Sequence, residues 1–294
     1  MTSTATLVKG VLGGVAKRPP YDGAALPGTE MVREAVSTDP GHVAAYARLC
    51  GFPAGDRLPA SYPHLLGFPL ALRLMASRAF PFPLLGLVHT KVDVVQHRPL
   101  HPADRPTVRV HAEGFAPHRR GSTFRLVTRA SLADEEVWSS NSTYLCRHRR
   151  ADAGPPPAAS GREPSAELAD PLPRQERWSL PGDLGRRYGA VSGDRNPIHL
   201  HALTARLFGF PRPIAHGMWT FARCLAHTVG DAEAVTARAR FLAPVPLPGA
   251  VVLHERDGRF ELREGGTGSR LHLSGTATSG CPSSGSPGPS SRSS

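Results

Sequence analysis

Cysteine is scarce and scattered in this chain. Cys50, Cys146, Cys224 and Cys281 stand far apart with no C-x-x-C pair, which argues against both a zinc ribbon and a disulfide framework. A reducing compartment suits such usage, and the chain is expected to be cytoplasmic. Long apolar runs are also missing. The opening MTSTATLVKGVLGGVAKRPP has a short apolar patch broken by Lys9, too short and too mixed for a secretory core or a membrane span. Aromatic residues make up only 6% of the sequence, and no basic helix interleaves them. The formal charge of +11, carried mainly by Arg and spread over the whole chain, is therefore not read as a nucleic-acid footprint. A Gly-x-Ser-x-Gly elbow is absent too, which sets a serine hydrolase aside.

What is present is two rounds of one pattern. With 294 residues the chain has room for about two domains. Residues 1–37 read as a lightly structured arm, with a short helix expected at 5–16. In residues 38–150, apolar spacing predicts a helix over 42–50, stopped by Gly51-Phe52-Pro53, and a second, buried helix over 65–80 despite Pro69. The period then changes to two, giving strands at 87–95, 107–113, 123–132 and 136–147 in an antiparallel meander. Residues 151–173, rich in Pro, Ala, Ser and Gly, read as a linker. The pattern restarts in 174–279, with helices over 181–191 and 215–229 and strands at 235–241, 250–255, 258–263 and 271–278. Residues 280–294 have the composition of a disordered tail.

A weak internal repeat links the two halves. Tyr46-Ala47-Arg48-Leu49-Cys50-Gly51-Phe52 aligns with Tyr188-Gly189-Ala190-Val191-Ser192-Gly193-Asp194, and Pro63-His64-Leu65-Leu66-Gly67-Phe68 with Pro213-Ile214-Ala215-His216-Gly217-Met218. Phe52 stands where the second copy has Asp194, and no Asn-Pro-x-His follows it. The first unit keeps the frame and lacks the polar chemistry.

That chemistry is concentrated in residues 188–218. Ser192-Gly193-Asp194 suits a loop that ends the preceding helix. Pro197 disfavours a helical Asn196, so residues 194–198 should turn and bring Asp194 and His199 to one cavity. A carboxylate and an imidazole facing one pocket can hold a water between them, one as base and the other as proton donor. Gly217, at the expected start of a helix, offers backbone N–H groups to an oxyanion. Asn196 would position the loop or the pair. His199, His201 and His216 could instead be read as metal ligands, but the spacing puts no third ligand in place and no metal is expected. Cys224 falls within an apolar helix and reads as core.

The stretch YGAVSGDRNPIH, with PIAHGM and RFLAPV after it, resembles the hydratase 2 motif of MaoC-like dehydratases, the R-specific enoyl-CoA hydratases. YARLCGF, SYPHLLGFPLAL and SSNSTYLCR in the first half resemble the degenerate N-terminal unit of the two-unit members. The resemblance implies an α+β double hot-dog fold, each unit a long helix wrapped by an antiparallel sheet, the pair forming a pseudo-dimer within one chain. Further homodimerisation is left open. It implies Asp194 and His199 as the catalytic pair, the Gly217 N–H as oxyanion donor, and Asn196, His216 and Ser192 beside the substrate. The implied reaction is reversible syn hydration of trans-2-enoyl thioesters to (3R)-hydroxyacyl thioesters, without metal or redox cofactor. The substrate would be carried by coenzyme A or an acyl-carrier protein, partners that a basic chain also suits. No nucleic-acid or membrane partner is expected. The first unit is expected to house the acyl tail in an apolar tunnel. A hot-dog thioesterase and a non-catalytic acyl-thioester-binding subunit stay open as alternatives.

Overall fold

The computed structural model describes residues 17, 21, 24–149, 172–266 and 269–280. The helix expected at 5–16, almost all of the linker and the tail beyond 280 lie outside these residues.

The first unit contains β1 (Met31–Arg33), α1 (Pro40–Cys50), α2 (Pro63–Ala76), β2 (Leu87–Gln96), β3 (Thr107–His118), β4 (Gly121–Leu132) and β5 (Glu135–Arg147). The second begins with β6 (Arg174–Leu180) and α3 (Leu184–Ser192), then a 3-10 turn (Pro197–His199) and α4 (Ala202–Leu207). It ends with α5 (Gly217–Thr228), β7 (Val235–Phe241), β8 (Gly249–Arg256), β9 (Arg259–Glu264) and β10 (Leu271–Ser279). All strands join one antiparallel sheet in the order β1-β3-β4-β5-β2-β7-β10-β9-β8-β6. That order reads the same from either end once β6–β10 are matched to β1–β5, which gives the chain an internal two-fold. The units meet where β2 pairs with β7, from Lys91 opposite Arg240 to Gln96 opposite Val235.

Local chemistry sets the helix ends. Asp39 caps α1 by accepting from the Gly41 N–H at 3.1 Å, and Pro40 opens the helix. Gly51 and Gly193 close α1 and α3 with φ of 80° and 76°, a conformation that penalises a Cβ. The aligned tyrosines of these helices, Tyr46 and Tyr188, are buried with ring centroids 6.2 Å apart, so the sequence repeat is also a contact across the two-fold. Each long helix packs on the inner face of its own half-sheet. Val92, Val94, Val108, Val110, Leu126 and Trp138 are buried in the first unit, and Val235, Ala237, Ala239, Leu253, Phe260 and Leu262 in the second.

Several expectations need correction. The first four long strands are not a simple meander, because β2 pairs with β5 and not with β3. Met31–Arg33, inside the segment read as an arm, pairs with β3. Its counterpart β6 carries no strand signal in the sequence, since only Trp178 and Leu180 of RQERWSL turn inward, the charged pattern of a protected edge strand. The 3-10 turn and α4 also had no sequence signal long enough to show a period. Finally, α2 begins at Pro63 whereas α5 begins at Gly217, four residues beyond the aligned Pro213. The second unit keeps that extra stretch extended, and it leads the chain into the site.

Candidate active site

The polar cluster lies where α3 ends and α5 begins. Once Gly193 has turned the chain, the Asp194 N–H donates to Ser192 Oγ at 3.1 Å. The Asn196 N–H donates to Asp194 Oδ1 at 3.0 Å, and the Ile198 N–H to Asn196 Oδ1 at 3.4 Å. These nested turns fix the loop with its own side chains. Ser192 and Asn196, expected beside the substrate, are thus engaged on main-chain N–H groups of the loop.

Asp194, His199 and His216 converge, their donor atoms all within 4.8 Å of one another. His199 Nδ1 lies 2.7 Å from the Ile214 carbonyl oxygen. A carbonyl only accepts, so Nδ1 carries the proton and neutral His199 presents an Nε2 lone pair. By the same logic His216 Nε2, 3.0 Å from the Asp194 carbonyl oxygen, is the protonated nitrogen of that ring. The two imidazoles stack with centroids 3.7 Å apart, and Tyr188 covers His216 at 4.9 Å. Asp194 is the accessible member, its side chain 31% exposed against 2% for His216. His201 is exposed at the start of α4 and stands outside the cluster.

Three converging donors could be read as an open metal site. The ring stacking disfavours it. Nearly parallel imidazoles 3.7 Å apart cannot both hold one ion in their ring planes at a bond length of about 2 Å.

Burial governs the electrostatics. It lowers the pKa of His199, an effect opposed by the Asp194 charge and the Ile214 hydrogen bond. His216 is pushed down to about 3 by burial and by neighbouring His199. Both rings are neutral near pH 7, which leaves Asp194 Oδ atoms and His199 Nε2 as acceptors in one cluster.

Helix α5 starts beside this pair. His216 is its N-cap, and its carbonyl accepts from Trp219 and Thr220. The N–H groups of Gly217 and Met218, ahead of those two, find no acceptor in the helix and lie at the positive end of its dipole. A Cβ on Gly217 would stand 3.1 Å from the Phe241 ring, so the glycine keeps that wall close.

Two further glycines do work that the sequence reading missed. Gly185 and Gly189, one turn apart on α3, face the loop. A Cβ on Gly185 would overlap the His199 carbonyl, and one on Gly189 would come within 2.8 Å of the Asp194 carbonyl. Their four-residue spacing is the signal that could have marked a helix face under close backbone approach. Gly185→Ala should therefore push the His199 turn off α3 and lower kcat for the site's reaction about tenfold or more, on the scale that a misplaced group costs. Steady-state kinetics beside a circular-dichroism melt would check this; full activity would show that the turn is not held by this contact.

The first unit supplies support and a wall. His42 of α1 donates through Nε2 to the Val191 carbonyl at 2.8 Å, and its Nδ1 accepts from the Tyr62 hydroxyl at 2.8 Å. The Asp194 charge also reaches His64, His89 and Tyr144, whose pKa values it raises. His89 reaches the inner face through a β-bulge. The register slips between His89 and Lys91, so His89 lies opposite Tyr144, on the side shared by Val92 and Val94. Without the extra residue it would follow Lys91 to the other face. The His89 ring sits 4.6 Å from Tyr144 and 4.9 Å from Phe241. Behind them Phe80, Phe82 and Phe124 are 0% exposed. On this side of the site the first unit therefore presents polar rings backed by packed phenyl rings.

Two wrapped helices on one palindromic sheet, with an acid, a neutral imidazole and a helix N-terminus brought together, define a double hot-dog with a hydro-lyase type of site. The chain belongs to the MaoC-like dehydratase family. Residues 161–259 match the MaoC like domain. 3-Hydroxyacyl-thioester dehydratase X of Mycobacterium tuberculosis is 37% identical over 240 residues, which span 81% of this chain and 84% of the relative. 3-Hydroxyacyl-thioester dehydratase Y of the same organism is 30% identical over 212 residues, spanning 66% of this chain and 71% of the relative. The crystal structure of HtdX of M. tuberculosis superposes with a TM-score of 0.72 at 35% identity, covering 85% of this chain and 99% of that one. No helix among the described residues is long and apolar enough to cross a membrane.

Proposed function

We propose that the chain interconverts trans-2-enoyl and (3R)-hydroxyacyl thioesters, with Asp194 and His199 as its catalytic pair. The observation that carries this reading is the His199 tautomer: a proton fixed on Nδ1 by the Ile214 carbonyl leaves a lone pair on Nε2 beside the Asp194 carboxylate. In the hydration direction a water bound between the two gives a proton to His199 Nε2 as its oxygen bonds to C3. The double-bond electrons move to the Cα–C=O unit, whose oxygen lies at the Gly217 N–H. The imidazolium, stabilised by Asp194, then returns the proton to Cα on the same face, so the addition is syn. The net change is one water added across one double bond. Dehydration is the reverse, and no step needs a metal or a redox cofactor.

His216 acts on this scheme through Asp194, whose carbonyl it holds. The packing of His89 against Tyr144 and Phe241 supports a short acyl group. Crotonyl-CoA should lose its enoyl-thioester absorbance without release of free thiol, and kcat/KM should fall by about tenfold or more from crotonyl- to dodecenoyl-CoA, because a long chain has to displace packed rings. Thiol release would favour the thioesterase alternative, and tight binding with an unchanged band the non-catalytic one. A dodecenoyl optimum would show that the wall opens.

A further inference from the structure

The loop that carries His199 also carries an exposed surface for which the site has no use. Leu203 and Leu207, one turn apart on α4, are 76% and 82% exposed, and Phe208 after them is 39% exposed. Large apolar side chains this bare on one face of a short helix mark a contact surface more often than chance placement. The same segment carries exposed Arg195, Arg206 and Arg212. Arg206 Nε and Arg212 Nη1 donate only to the main-chain carbonyls of Pro211 and Pro248, at 3.4 and 3.2 Å. From Arg195 to Gly230 the sequence contains no Asp or Glu, so this segment itself brings only positive charge to the ridge.

The ridge is fastened to the catalytic loop. Thr204 Oγ1 donates to the Pro197 carbonyl at 2.7 Å, the Ile214 N–H to the Ile198 carbonyl at 3.2 Å, and Ala205 is fully buried beneath it. Whatever seats here is held beside the loop that carries Asp194.

We infer that the α4 ridge of Leu203, Leu207 and Phe208, with Arg195, Arg206 and Arg212 of the same segment, docks an acidic carrier protein that presents its acyl group on a phosphopantetheine arm. This rests on the acyl-thioester reading of the site. A nucleotide carrier such as coenzyme A would use the arginines through its phosphates and leave the leucines bare. A protein partner with an acidic, partly apolar helix face uses both, the charge steering the encounter and the leucines supplying the buried centre.

The test compares one acyl group on two carriers. Crotonyl-CoA and a crotonylated bacterial acyl carrier protein are assayed with the native chain, with the double variant Leu203→Asp/Leu207→Asp, and with Arg206→Glu. KM for the carrier-protein substrate should rise about tenfold or more in both variants, as for loss of interface anchors. KM for crotonyl-CoA and kcat for both substrates should change less than about twofold, on the scale of surface substitutions. Equal effects on the two substrates, or none on either, would overturn the docking surface. Inability of the native chain to use the carrier-protein substrate would do the same. So would a native dimer that the double variant dissociates, since the ridge would then be covered by a second copy. Interferometry with the holo-carrier reads docking without turnover, so a chain that binds it in a Leu207-dependent way yet hydrates nothing sinks the catalytic reading and leaves the surface standing.

Discussion

Asp194→Asn and His199→Gln should each lower kcat for hydration of an enoyl thioester about a thousandfold, the usual scale for removing a general acid or base. The two substitutions are chosen to spare the loop. Asn at 194 can still accept from the Asn196 N–H that now donates to Asp194 Oδ1, so the nested turns stay while the charge beside the imidazole goes. Gln at 199 can donate to the Ile214 carbonyl as His199 Nδ1 does but offers no basic nitrogen to a water. Melting temperatures within a few degrees of native would show that the fold survives. The double variant should be little worse than either single one, because the two groups act on the same water. A loss smaller than about tenfold in either variant would remove that residue from the proposed pair.

Acid should unfold the protein unusually early. Burial lowers His64 to about 4, His89 to about 3 and His216 to about 3, whereas an unfolded histidine titrates near 6.5. The folded state therefore refuses protons that the unfolded chain accepts. The associated stability is fully present above pH 6.5 and declines as pH falls towards the folded values. By pH 5 each of these histidines costs about 2 kcal/mol, and the three together reach the order of a domain's whole stability of about 5–15 kcal/mol. His199 and His272, also lowered by burial, add in the same direction. The melting temperature should fall steeply between pH 6.5 and 5. His89→Phe should flatten the slope, since it deletes one of the protons taken up. A melting temperature constant from pH 8 to 5 would show that these rings accept protons in place.

The acid loss and the catalytic prediction share one physical origin. The site keeps its histidines neutral by enclosing them, and the same enclosure makes their protonation incompatible with the fold. The rate of hydration and the population of folded protein should therefore decline through the same pH range on the acid side, and a melt taken at each pH separates them.

Much of the site was legible because it is local. Residues 192–199 close on themselves through side-chain-to-backbone hydrogen bonds of two-residue span, and such turns depend on residue type at fixed offsets and on little else. The duplicated frame was legible for a similar reason: the period-two strands and the Gly after each short helix recur in both halves. The aligned Tyr46 and Tyr188 prove to touch across the two-fold, a contact the alignment itself does not predict.

What the sequence by itself determined, then, was much of the helix and strand pattern, its duplication, and the placing of Asp194, His199 and Gly217 in one short region as candidates for a site. Only the tertiary structure decided which partner each of them has. That His199 is pinned by Ile214 and His216 by the Asp194 carbonyl depends on residues 213–216 returning to the 194–199 loop. That His89 stands on the inner face against Tyr144 depends on a bulge that shifts the phase of β2 by one residue. Strand pairing across the two-fold joins positions well over a hundred residues apart, as Lys91 with Arg240, and no local propensity encodes such a register. It is fixed by which faces can be buried together, a property of the assembled core rather than of any one segment.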